Sequence, residues 1–231
     1  MLNPEDTRMI EEARKRRLYA LDVLSKTKSS EMPAEYTRIT KDRFRKLIDP
    51  DYHKDKIEDI VSLVYDKKEV LMNIPYIVID GGDMEIRKAA GCAILFRMIF
   101  YQRDCRFVNC GTIVDNFQSF DTKSKNTEIT KTDFIENLKS YEALFISEFR
   151  PDIVKAWSLA GGYLDDILDN RYNEKRPTII SFTLSMEKGS VIRDLVCGQH
   201  LAKISQAVNI TPNPSKDFLR IRVRINKDWN K

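Results

Sequence analysis

Apolar positions along this chain repeat with two different periods, and the switch between them marks out its elements. Over residues 5 to 28, Met9, Ile10, Ala13, Leu21 and Leu24 keep the spacing of one helical stripe, with Asn3-Pro4 as a start signal. The polar stretch KTKSSEMP, Lys26 to Pro33, has no period and ends in proline, which predicts a linker. From Thr40 onward Phe44, Leu47 and Ile48 return to helical spacing, until Asp49-Pro50 breaks it. Ile57, Ile60, Val61, Val64 and Tyr65 then form the face of a second helix.

The pattern changes at Tyr76-Ile77-Val78-Ile79, a wholly apolar, β-branched run ending in Asp80-Gly81-Gly82. Such a run predicts a strand buried on both faces that opens into a tight turn. A helix is predicted from Ile86 to Tyr101, a strand at Cys105 to Cys110, and a short helix at Ile113 to Phe117. A polar loop spans Asp121 to Thr132, and Phe134 to Leu138 is helical. Ala143 to Ile146 and Thr178 to Ile180 read as further buried strands. Helices are expected at Ile153 to Trp157, Tyr163 to Tyr172 and Val191 to Val208. From Leu219 to Ile225 apolar residues alternate with Arg220, Arg222 and Arg224, the period of a strand with one buried and one wet face. Strands alternating with helices predict an α/β architecture with a mostly parallel five-stranded sheet. The organisation read here is a charged helical arm over residues 1–30, then one domain over 31–231.

Composition narrows the class. The 231 residues are 42% hydrophobic and 32% charged, enough for a sizeable core and above the roughly 25% charge of an average soluble chain. The longest apolar run, Ala89 to Phe96, stops at Arg97, far short of the ~20 residues a membrane span needs. The N-terminal MLNPEDTR has no apolar segment of the kind a secretory leader carries, so a cytoplasmic chain is expected. Cys92, Cys105, Cys110 and Cys197 form no C-x-x-C pair, and only His53 and His200 could join them, which argues against a metal site. A net charge of +4 is mild, and the basic cluster Arg14 to Arg17 fits either a solvated helix face or a partner contact. Only eight glycines occur, so the paired Gly81 and Gly82 stand out.

Ligands in open α/β sheets bind beyond the carboxyl ends of the strands, and three such ends carry candidate chemistry. In IVIDGGDMEIRKAAG a strand, a glycine turn and a helix follow one another, as in a phosphate-binding loop. The pattern G-x-x-x-x-G-K-[ST] fits in two registers. From Gly81, its last three positions are Ile86, Arg87 and Lys88; from Gly82, they are Arg87, Lys88 and Ala89. In YEALFISEF an apolar strand ends in Ser147-Glu148. In ILDNRYNEKRPTIISFTLS another ends near Ser181 and Thr183, where a polar side chain could face a γ-phosphate.

Together these stretches resemble the AAA+ ATPase core of the bacterial replicative-helicase loaders, the DnaC and DnaI type, and their transposition relatives of the IstB type. The resemblance runs from about Ile39 to Ile225, and its most specific motif is ILDNRYNEKRPTIISFT. It implies an AAA+-like parallel sheet in the order 5-1-4-3-2, with the arginine-rich strand at one edge. It further implies a nucleotide site at Gly81, Gly82, Arg87, Lys88 and Thr183, Glu148 as the Walker B glutamate, and Arg193 as arginine finger. ATP or ADP would be the cofactor. The partners implied are a replicative helicase or another AAA+ protein, gripped by the N-terminal arm, single-stranded DNA, and further subunits in an oligomer. Arg220, Arg222 and Arg224, spaced along one strand face, are the candidate DNA contacts, and the same arginines could instead guard an exposed sheet edge.

The departures from the family pattern run in one chemical direction. The loop hydroxyl that holds Mg²⁺ is missing in both registers, the Walker B aspartate is Ser147, and the sensor asparagine is Thr183. Phosphoryl transfer of this kind depends on a metal bridging the β- and γ-oxygens. The expectation is a degenerate module acting by protein and DNA binding. Two alternatives stand beside it: a divergent ATPase using Lys88 and Glu148, with Ser147 on a metal-bound water, and a scaffold or inhibitor that mimics a loader subunit.

Overall fold

The computed structural model describes residues 4–121, 130–150, 158–182 and 218–224. Helix α1 (Pro4–Ser29) leads into a short 3-10 turn at Ala34–Tyr36, followed by α2 (Lys41–Leu47), α3 (Pro50–His53), α4 (Ile57–Asp66) and α5 (Lys68–Leu71). The sheet domain then runs β1 (Tyr76–Gly81), α6 (Met84–Phe100), β2 (Cys105–Asn109), α7 (Cys110–Asp121), α8 (Lys131–Ser140) and β3 (Ala143–Phe149). It closes with α9 (Ser158–Asn173), β4 (Thr178–Phe182) and β5 (Phe218–Val223). The strands form one sheet in the order β2-β3-β4-β1-β5. Its pairings are all parallel. This is the predicted order read from the other edge. The helix expected at Ile113 to Phe117 is longer, and Lys131 already belongs to α8, started by a capping box between Thr130 and Asp133. The helices expected at Ile153 to Trp157 and Val191 to Val208 lie outside the described residues.

Side chains alternate across the sheet into two cores. Ile77, Ile79, Phe145, Ile179, Leu219, Ile221 and Val223 pack against α6 and the α2–α5 layer, whereas Tyr76, Val78, Leu144, Ile146 and Ile180 pack against α7, α8 and α9. Gly91 sets the distance on the α6 side. A Cβ there would lie 2.1 Å from Cζ of Phe145, so the helix approaches the central strands only because this position has no side chain.

The motif ILDNRYNEKRPTIISFT has a structural use. Arg171 is fully buried and donates from Nη1 to the carbonyls of Leu138 (3.0 Å) and Tyr141 (2.6 Å), from Nη2 to that of Pro177 (2.7 Å) and from Nε to the Thr178 hydroxyl (2.9 Å). One guanidinium thereby satisfies the end of α8 and the start of β4. Tyr172 stacks on Tyr76 with ring centroids 5.7 Å apart.

Two expectations about surfaces are corrected. Lys26 to Pro33 is not a linker: α1 continues to Ser29, Ser30 and Met32 are buried, and the Ser30 carbonyl accepts from the Phe107 N–H at 2.8 Å. The segment occupies the open edge of β2, which would otherwise expose an unpaired donor. The arginine face of β5 is likewise only partly wet. Leu219, Ile221 and Val223 are buried as their period requires, but Arg220 is only 7% exposed and pairs with the fully buried Asp80 of β1. The outer edge of β5 is covered by the chain around α3: Asp49 N–H donates to the Arg222 carbonyl (2.9 Å), Arg224 N–H to that of Leu47 (3.0 Å), and Arg222 N–H to Nε2 of His53 (2.8 Å).

Among the described residues no helix is long and apolar enough to cross a membrane.

Candidate functional site

β1 ends at Gly81, and α6 begins at Met84, so the turn between them is short. Gly81 and Gly82 both adopt left-handed φ, +77° and +50°, which glycine accepts without strain. Space is equally decisive: a Cβ on Gly81 would meet the Val223 carbonyl oxygen at 2.6 Å, and one on Gly82 the Arg224 carbonyl oxygen at 2.9 Å. The glycines are therefore required by the approach of β5, with or without a phosphate ligand.

Two features occupy this turn and helix start. Asp83 is the N-cap of α6, and its carboxylate accepts from the Ile86 N–H at 3.0 Å. The helix start thus carries its own anion, in the position where its orphan N–H groups and dipole would otherwise favour a ligand's. The second is Arg87. Its Nη1 donates to the carbonyls of Gly81 and Gly82, each at 2.9 Å, and its Nη2 and Nε donate to the two carboxylate oxygens of Glu148 at 2.9 and 3.4 Å. Arg87 is 5% exposed and Glu148 8%. The fork matches the carboxylate bidentately, the strongest arrangement such a pair adopts.

The other predicted site residues are distributed as follows. Lys88 is half-buried, its Nζ 3.5 Å from Oε1 of Glu85. Ser147 is fully buried, its Oγ 3.5 Å from Nδ2 of Asn109. Glu148 has φ +53° where the β3–β4 register shifts, and its N–H donates to Oγ of Ser181 at 2.9 Å. Thr183 and Arg193 lie outside the described residues. The structure brings Gly81, Gly82, Arg87 and Glu148 together and leaves Lys88 to one side.

Of the candidate DNA contacts, Arg220 is held by Asp80, with Nε 3.2 Å from Oδ1 and a second bond from Nη2. Its guanidinium also lies 4.9 Å from the Tyr52 ring centre. Burial pulls the Arg220 pKa down, but the hydrogen bond and charge of Asp80 outweigh it, and the net shift is upward. Arg222 lies 5.1 Å from the same ring, with Asp49 3.7 Å away. Arg224 is half-buried, and its Nε has no hydrogen-bond partner among the described residues.

Sequence reasoning missed Asp83 as an N-cap, although an acidic residue before a helical run is a start signal. It also missed the pairing of Asp80 with Arg220, and of Arg87 with Glu148, for which sequence spacing offers no signal.

No family model and no curated protein matches this sequence. Solved structures share its fold. A replication initiator DnaA bound to AMPPCP and single-stranded DNA superposes with a TM-score of 0.55 at 12% identity, covering 83% of this chain and 51% of that one. A DNA replication initiation factor gives 0.52 at 14% identity, covering 75% and 50%. DnaI gives 0.52 at 13% identity, covering 84% of this chain and 95% of its own. This chain thus spans about half the length of the first two and nearly all of the third. Its fold is the AAA+-like α/β fold shared with these DnaA and DnaI structures.

Proposed function

We propose that this chain is a replication-associated protein of the helicase-loader kind that works by binding, with a nucleotide site that no longer hydrolyses. The observation that carries this reading is the destination of Arg87 and Glu148. A P-loop ATPase needs loop N–H groups open to phosphate, a cation aimed at the phosphates, and a carboxylate left to orient water. Here the cation is consumed by the Gly81 and Gly82 carbonyls and by the carboxylate itself. The loop hydroxyl and the Walker B aspartate are absent from the sequence as well.

The binding role draws on α1. Residues 8–21 are exposed along their length, and Ile10, Leu18, Leu21 and Leu24 are 55%, 58%, 53% and 64% exposed, while Val23 on the opposite side reaches the core. An apolar row turned away from the core, interrupted by the exposed Arg14 and Arg17, fits a partner helix with an apolar seam and acidic flanks. The resemblance names that partner as a hexameric replicative helicase. The exposed cluster Arg14 to Arg17 and the half-buried Arg224 are the remaining contacts for single-stranded DNA.

Calorimetric titration with ATP, with and without Mg²⁺, alongside a phosphate-release assay, tests the first part. No binding heat and no phosphate release are expected; magnesium-dependent turnover abolished by Glu148→Gln would overturn it. Deletion of residues 4–18 tests the second. Capture of the helicase should be lost with the melting temperature unchanged, since the helix meets the core from Tyr19 onward. Undiminished capture would refute the assignment of α1.

A further inference from the structure

The Arg87–Glu148 pair does more than fill a site. It joins three elements: the β1 turn through the Gly81 and Gly82 carbonyls, the first turns of the adjacent α6 through Arg87 itself, and, 61 residues further along the chain, the end of β3 through Glu148. A fourth is tied in by the Glu148 N–H on Ser181 of β4. In nucleotide switches of P-loop folds, contacts from the γ-phosphate and its metal connect these same kinds of segment, and losing them releases the segments.

We propose that the Arg87–Glu148 pair is a permanent internal strut that takes over this connecting role, so that the module keeps one shape whether or not nucleotide is supplied. The inference rests on the reading of the site above and adds a conformational consequence to it. Three observations support it. Glu148 holds a left-handed φ within a strand, a conformation that persists only where the surroundings over-determine it, and here both its N–H and its carboxylate are fixed. The pair is almost wholly removed from water, where a bidentate ion pair gains most from its partner and neither member can be left alone. The carboxylate of Asp83 at the helix start opposes any phosphate competing for Arg87.

The strut predicts that its two ends loosen together. Hydrogen exchange of the full chain, read by mass spectrometry, compares segments 81–88 and 146–150 with α4 as reference. In the wild type the rates should be the same with and without ATP and Mg²⁺. Glu148→Gln removes the charge, and Arg87→Lys keeps a cation in the folded pocket but loses the fork. Each variant should accelerate exchange in both segments by roughly tenfold or more while α4 stays unchanged. Protection of the turn by ATP and Mg²⁺ in the wild type would overturn the strut, as would faster exchange confined to the segment that carries the substitution. Independent loosening in a chain that still lacks turnover would refute the strut alone. Turnover in the phosphate assay would refute the reading of the site beneath it.

Discussion

Replacing Arg220 with methionine separates two accounts of β5. If the arginines lined a wet face, the substitution would remove one surface charge and cost at most about 0.5 kcal/mol. The structure gives a larger value. Asp80 is fully buried, and Arg220 supplies it with two hydrogen bonds and its counter-charge. Arg220→Met leaves that carboxylate without its cation, which costs about 3–5 kcal/mol when one member of a buried pair is removed. Loss of the contact with the Tyr52 ring at 4.9 Å adds roughly 0.5–1 kcal/mol. For a domain of this size that lowers the melting temperature by about 10 °C. Asp80→Asn/Arg220→Met removes both charges and should recover most of the loss, because well-packed apolar and neutral groups often match a buried ion pair. Urea unfolding of the wild type, both single variants and the double variant yields the coupling energy, expected at about 2–4 kcal/mol. A coupling below about 0.5 kcal/mol would refute the buried pair and return Arg220 to the surface.

Three further outcomes follow from individual contacts. Gly91→Ala places a methyl group within 2.1–2.7 Å of three Phe145 ring atoms, so α6 must move off the sheet, at a cost of about 1–3 kcal/mol in a denaturant titration. Arg171→Met strands the carbonyls of Leu138, Tyr141 and Pro177 and should cost about 3 kcal/mol or more, whereas an unchanged midpoint would mean water replaces the guanidinium. His53 is 2% exposed and accepts the Arg222 N–H. Burial is the main reason its pKa falls from 6.5 to about 4, with Asp80 and Asp49 opposing the fall and Arg220 adding to it. A base depressed in this way contributes stability that is complete above pH 6.5 and is lost as pH falls through about 4. Over that window the folded chain should lose up to about 3 kcal/mol relative to a His53→Gln variant, whose profile stays flatter.

What the sequence disclosed and what it withheld divide along a physical line. The strands were legible because a continuous apolar, β-branched run such as Tyr76 to Ile79 buries both faces whatever its neighbours are, whereas their order was implied only by the resemblance to the AAA+ core. The stripe on α1 was legible as amphipathic, but periodicity reports only that one side is apolar; the structure turns Leu21 and Leu24 away from the core and sends Val23 inward. The alternation on β5 was also correct in period. Whether the arginine side met water depended on Asp80, 140 residues distant, and on α3, and no local pattern encodes either.

The candidate site shows the same division more sharply. Measured against the AAA+ pattern the sequence resembles, each departure was visible one residue at a time: no loop hydroxyl, Ser147 where an acid is expected, and, in the register from Gly81, Arg87 where a lysine is expected. A list of losses describes an absence and leaves open a site in which Lys88 serves a nucleotide. The geometry replaces that absence with an occupant. Arg87 and Glu148 lie 61 residues apart, and each looks like a surviving catalytic group on its own. On the proposed reading, once joined each consumes what the other would need for phosphoryl transfer: the carboxylate takes the cation a phosphate would need, and the cation takes the carboxylate that would orient water. If that reading holds, building an ATPase on this chain would require undoing the pair as well as supplying the missing groups. Rebuilding the hydroxyl and the aspartate while keeping Arg87 should give no phosphate release, and turnover in such a chain would show that the pair yields to nucleotide.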